Sequence, residues 1–108
     1  MPVIKITNQK NFPVWSDVTH YGINHLEVGQ EVTLHYHDCN EYWVIISGAG
    51  VCTTEGDTYT LGPGDMVLTK KGDEHSLVVT EKMVALYFYG PMAADARHGH
   101  LSRGKDDV

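Results

Sequence analysis

Cysteine is scarce in this chain: Cys39 and Cys52 are the only two in 108 residues. That is too few for a disulfide scaffold, and it makes a reducing, cytoplasmic setting the default. Positive charge is also short. Eight Lys and Arg face 14 Asp and Glu, a net charge of −6. Phosphate binding needs clustered cations, so a nucleic acid is excluded as the main partner. Long hydrophobic runs are missing. Stretches such as Tyr42 to Ile46 fall far short of the roughly 20 residues that span a bilayer, which argues against a membrane partner. The opening Met1-Pro2-Val3-Ile4-Lys5 lacks the basic-then-apolar order of a signal peptide. Helical periodicity is absent too, apart from a turn-like stretch at 92–96.

Glycine and β-formers are plentiful. Eleven glycines punctuate the whole length. Between them lie short stretches rich in β-branched and aromatic residues at 31–36, 41–47, 51–54, 58–61, 66–69, 76–80 and 83–89, with a weakly alternating one at 3–7. Short strands at close spacing predict an all-β sandwich or barrel. Glu55-Gly56 suits a tight hairpin, and Gly62-Pro63-Gly64-Asp65 suits a type II turn. Gly48-Ala49-Gly50 reads as a break in an apolar strand. The length fits one domain over residues 1–108, with 91–108 a polar tail whose last residues, Lys105 to Val108, are expected to be mobile.

Strand parity organises the remaining residues. In 31–37, Glu31, Thr33, His35 and His37 share a face opposite Val32, Leu34 and Tyr36. In 41–47, Glu41, Trp43 and Ile45 oppose Tyr42, Val44 and Ile46, and both sets are apolar enough to predict burial on both sides. In 83–89, Met83, Ala85, Tyr87 and Tyr89 share a face.

Seven histidines are the unusual feature of the composition. His35 and His37, two apart on a strand, point the same way, so both imidazoles can reach one ion at roughly 2.0–2.1 Å. The Asp38-Cys39-Asn40 turn lets Glu41 aim back at that ion, and His75 opens another strand. Three imidazoles and one carboxylate suit one divalent transition metal, such as Fe, Mn, Ni or Zn, better than Mg or Ca.

The spacing Gly29, His35, His37, Glu41, Gly48 resembles the first motif of the cupin superfamily at every defined position. Gly64, Gly72 and His75 match its second motif in part, with Lys70 where Pro is usual and Val79 where Asn is frequent. The resemblance covers residues 29–79 and is closest to the small single-domain cupins described as mannose-6-phosphate isomerase-like. It implies a small antiparallel jelly-roll β-barrel with His35, His37, Glu41 and His75 as metal ligands. A four-ligand site would leave coordination positions open on the metal. The expected function is therefore metal-dependent chemistry on a small oxygen-bearing molecule, such as a sugar, sugar acid or enolisable carbonyl compound. Isomerase-, lyase- and dioxygenase-type reactions all fit, and the alternative is a cupin that binds or senses a small ligand without turnover.

The other candidates carry paired readings. Glu41 and Tyr87 are the catalytic candidates; Trp43, Tyr87 and Tyr89 are the substrate contacts, although Trp43 also suits a core and the tyrosines also suit packing. His20 and His25 read as structural, and His98 and His100 as part of a solvated tail, with Gly99-His100-Leu101 a candidate to close the barrel mouth. Cys39 reads as a turn residue, and Lys70-Lys71 as a solvated turn. The strand at 3–7 would leave an open edge and so predicts a homodimer, as small cupins pair in this way.

Overall fold

The fold is taken from a computed structural model that describes residues 2–103. The segment Lys105 to Val108, expected to be mobile, lies outside the described residues. Six strands form: β1 (His20–Leu26), β2 (Glu31–His35), β3 (Glu41–Thr54), β4 (Asp57–Leu61), β5 (Met66–Thr69) and β6 (His75–Tyr89). All their pairings are antiparallel.

The two long strands, β3 and β6, pair with each other over most of their length and act as a spine. Each half of the spine carries its own short strands. Residues 83–89 of β6 take β1, and residues 75–78 take β2. Residues 41–44 of β3 take β5, and residues 50–54 take β4. One half therefore runs β1–β6–β3–β5 and the other β2–β6–β3–β4. The core draws on both, with Leu26, Trp43, Val67 and Ala85 from the first packed with Cys52, Leu61, Leu77 and Val79 from the second. Ile45 and Met83 are fully buried where the halves meet. Burying a side chain of that size stabilises the fold by about 1.5–3 kcal/mol. Among the described residues the sheet is not closed into a hydrogen-bonded ring.

Several expectations change. The breaks expected after residues 47 and 80 are bends, not ends. Register shifts between Ile45 and Gly50 let β3 continue, and β6 follows because Ala49 pairs with Glu81. Gly48 sits at φ +85°, and a Cβ there would run into the carbonyl oxygen of Lys82. The shifts also flip the inward parity of β3, so Ile45 and Cys52 both face the core. Its other face is not fully covered, since Tyr42 and Val44 are half-buried and Ile46 is exposed.

In β2 a register shift between Val32 and His35 breaks the expected alternation. Glu31 and Thr33 are exposed, and Val32 packs inward with His35. The strand expected at 3–7 is absent; Lys5 and Asn8 make only an isolated bridge. The open edge expected there is therefore missing, and a homodimer cannot rest on it. In its place stands β1, whose His20, Asn24 and His25 hid a half-buried strand that β6 pairs along its full length.

Candidate metal centre

Strand ends bring the four expected ligands together. His35 closes β2 and lies opposite His75, which opens β6. Glu41 opens β3, in register with Tyr89 on one side and Thr69 on the other. His37 follows β2 by two residues. All four are buried, with exposures of 3% for His35, 4% for His37, 7% for Glu41 and 4% for His75. Burial of so many polar groups requires partners for them.

Backbone carbonyls hold the outer nitrogen of each ring. Nδ1 of His35 meets Thr33 O at 2.7 Å, that of His37 meets Gly99 O at 3.0 Å, and that of His75 meets Asp73 O at 3.3 Å. A carbonyl only accepts, so each Nδ1 carries a proton and each ring turns its Nε2 inward. Glu41 Oε1 lies 3.1 Å from His75 Nε2 and 3.5 Å from His37 Nε2. Among the described residues the His37 Nε2 is buried without a hydrogen-bond partner. Ring nitrogens this close to a carboxylate need a cation, a proton or a metal ion, between them.

A proton on His35 is disfavoured. Burial pulls His35 down to about 4, with the neighbouring imidazoles adding to the effect. Burial alone would raise Glu41, but hydrogen bonds from the His37 and His75 rings and their Coulombic attraction outweigh it and hold the carboxyl at about 2, the direction that a cation beside it produces. Two overlapping sets, His37–Glu41–His75 and His35–His37–His100, each place their ligand atoms within 4.8 Å of one another. The donor set fits a divalent transition metal.

Beside the cluster lies a cavity of about 80 Å³. Val32, Trp43, Leu77 and Tyr87 give it apolar and aromatic walls, and Asn24 of β1 adds an amide. The indole Nε1 of Trp43 is buried and has no acceptor among the described residues. Tyr89, expected to touch substrate, does not line this cavity. Its ring is 5.1 Å from that of His37, and burial together with the Glu41 charge makes its phenol hold its proton well above the usual range. Lys70 and Lys71 are exposed and also lie outside the cavity lining. His20 and His25 are exposed on β1, away from the cluster.

His100 was read as part of a solvated tail and, within Gly99-His100-Leu101, as a candidate to close the barrel mouth. It is exposed, yet its ring stacks on that of His35 at 3.8 Å and 15° and it lines the cavity, which favours the second reading. The signal for it was the His98-Gly99-His100 pattern, which repeats the spacing of His35 and His37. Only the path of the chain after β6 distinguishes it from His98, which is exposed and outside the cluster.

Comparison with known proteins agrees with this architecture. The profile of the Cupin domain family matches residues 22–89. An uncharacterized protein y4oW of Sinorhizobium fredii (strain NBRC 101917 / NGR234) is 40% identical over 78 residues, or 68% of this chain and 36% of that protein. The chain thus spans about a third of the curated relative's length. Among solved structures, KdgF from Halomonas sp. superposes with a TM-score of 0.66 at 22% identity, covering 73% of each chain. The DMSP lyase DddQ from Ruegeria pomeroyi DSS-3 gives 0.70 at 23% identity over 82% of this chain and 44% of that one. These distant structures speak to the fold alone. Since the family profile spans more than half of the chain, this protein belongs to the Cupin domain family.

Proposed function

We propose that this cupin is a metal-dependent enzyme acting on a small oxygen-bearing molecule, with His35, His37, Glu41 and His75 as the ligands of one divalent transition metal. The observation that carries the reading is the set of three imidazoles whose Nδ1 atoms are anchored on backbone carbonyls, two of which turn Nε2 toward the Glu41 carboxylate. When bound, the metal supplies a Lewis acid that polarises a carbonyl or hydroxyl oxygen. The protein does the rest. Trp43 and Tyr87 exclude water and shape the cavity for something small. The Trp43 N–H and Tyr87 O–H donate to substrate oxygens, and the Tyr87 phenol is the group placed to pass a proton to or from an adjacent carbon or oxygen. Tyr89 pairs with Glu41 across the β3–β6 ladder and is placed to orient that carboxylate. Asn24 offers a further amide contact.

Lyase- or isomerase-type proton transfer beside a carbonyl uses these parts most fully, since a phenol and a Lewis acid together handle an enediolate. The buried free thiols of Cys39 and Cys52 fit work in the cytosol. The test is turnover. Sugars, uronates, keto acids and enols are offered to Fe-, Mn-, Ni- and Zn-loaded protein, with isomers followed by NMR and oxygen uptake by electrode. We expect a metal-dependent rate that falls by at least about 100-fold in Tyr87→Phe, the usual scale of a lost general acid or base. Saturable binding of a ligand that persists unchanged under every metal would instead identify a sensor.

A further inference from the structure

The segment after β6 returns to the metal centre and is tied down at several points. Tyr36 and Leu101 exchange backbone hydrogen bonds, 2.8 Å from Tyr36 N to Leu101 O and 2.9 Å in return. Arg97 grips the Asp38 carboxylate through its backbone N–H and its Nε, both at 2.9 Å. Arg103 donates to Gly72 O at 2.8 Å and lies 4.0 Å over the Tyr36 ring. Gly99 O accepts the His37 Nδ1–H at 3.0 Å. Residues 97–103 are therefore a strap.

Register decides what the strap presents. In an antiparallel bridge the paired side chains share one side, and the residues one step away point to the other. Tyr36 pairs with Leu101, so His35, His37 and His100 share the opposite side. The contacts agree: the His100 ring is 3.8 Å from that of His35 and 5.2 Å from that of His37, centroid to centroid. Nitrogens of His35, His37 and His100 all lie within 4.8 Å of one another. Unlike the four buried groups, His100 is exposed and belongs to a surface segment.

We infer that His100 is a further, exchangeable ligand of the metal, occupying an open coordination position from the cavity side until a substrate oxygen takes it. This rests on the metal reading proposed above. Neighbouring nitrogens on one ion with bonds of 2.0–2.1 Å sit roughly 3 Å apart. A movement of about 2 Å by an exposed side chain is enough to bring His100 into that shell. The strap thereby couples access to the cavity with the state of the metal.

Cobalt(II) is the probe, read by visible absorption and by competition with a chelator, in the wild type, His100→Ala and His37→Ala. His100 is exposed, so its replacement leaves the fold intact, and circular dichroism verifies this. We expect His100→Ala to bind one cobalt per chain about tenfold more weakly, with altered d–d bands that added imidazole restores. An unchanged spectrum and affinity in His100→Ala, while His37→Ala loses cobalt, overturns the ligand role of His100 and leaves the metal centre standing. If the wild type takes up no cobalt, or His37→Ala binds it as the wild type does, the metal reading itself fails.

Discussion

The chemistry of single residues here is set by what lies behind them. Three carbonyls hold Nδ1 of three histidines, and that anchoring turns Nε2 of each ring into the cluster. Burial acts on the thiols in the same direct way. It pushes Cys52 up to about 11 and also raises Cys39, where the nearby Glu41 and Asp38 charges add to it. A buried thiol that resists ionisation is inert. We therefore expect neither cysteine to react with iodoacetamide in the native protein at pH 8, and both to react in denaturant; rapid native labelling of Cys52 would refute its burial. The linkage follows the same sign. The unfolded Cys52 thiol ionises near 9 and the folded one near 11, so its contribution to stability is complete below 9 and fades as pH rises towards 11.

At the scale of elements, the bend in the spine strands decides the shape of the molecule. Gly48 meets two demands at once: a left-handed backbone at φ +85° and space for the Lys82 carbonyl. Gly56 shares the left-handed backbone at φ +84° but has nothing within 4 Å. The pair separates strain from crowding. Gly56→Ala should cost about 1 kcal/mol from backbone conformation alone, and Gly48→Ala about 3 kcal/mol or more because the β3–β6 ladder must also shift. Urea melts of the two variants compare them; equal losses would mean that the bend tolerates a side chain. Sequence reading treated the Gly48 region as a gap because glycine ordinarily punctuates strands, and a bend with continuous pairing has the same local signature.

At the scale of the whole molecule, the segment before β1 leaves apolar side chains uncovered. Val3 is 79% exposed, Trp15 76%, and Val14 fully so. Apolar groups gathered in one segment favour association. We expect a homodimer that buries this segment rather than a sheet edge. Light scattering at micromolar concentration should give twice the 12.0 kDa chain mass, and Trp15→Ser should shift the population towards monomer. A monomer mass for the wild type rules the dimer out.

The sequence alone determined the β class, the hairpin at Glu55-Gly56, the β5 span and the His35, His37, Glu41 and His75 cluster. Each of these is local or carried by spacing: turn chemistry, β-branched runs, and two histidines a strand repeat apart. Tertiary structure decided the rest. β1 was illegible because a half-buried strand with polar residues gains its order from pairing with β6, not from its own pattern. The parity of β2 failed because a register shift, invisible in composition, set Val32 beside His35 in the cavity wall. His100 lies 25 residues beyond His75, and the returning segment, held by the Tyr36–Leu101 bridge and the Gly99–His37 hydrogen bond, places it above the cluster. Contacts made by chain return depend on the path of the backbone through space, and no local propensity encodes that path.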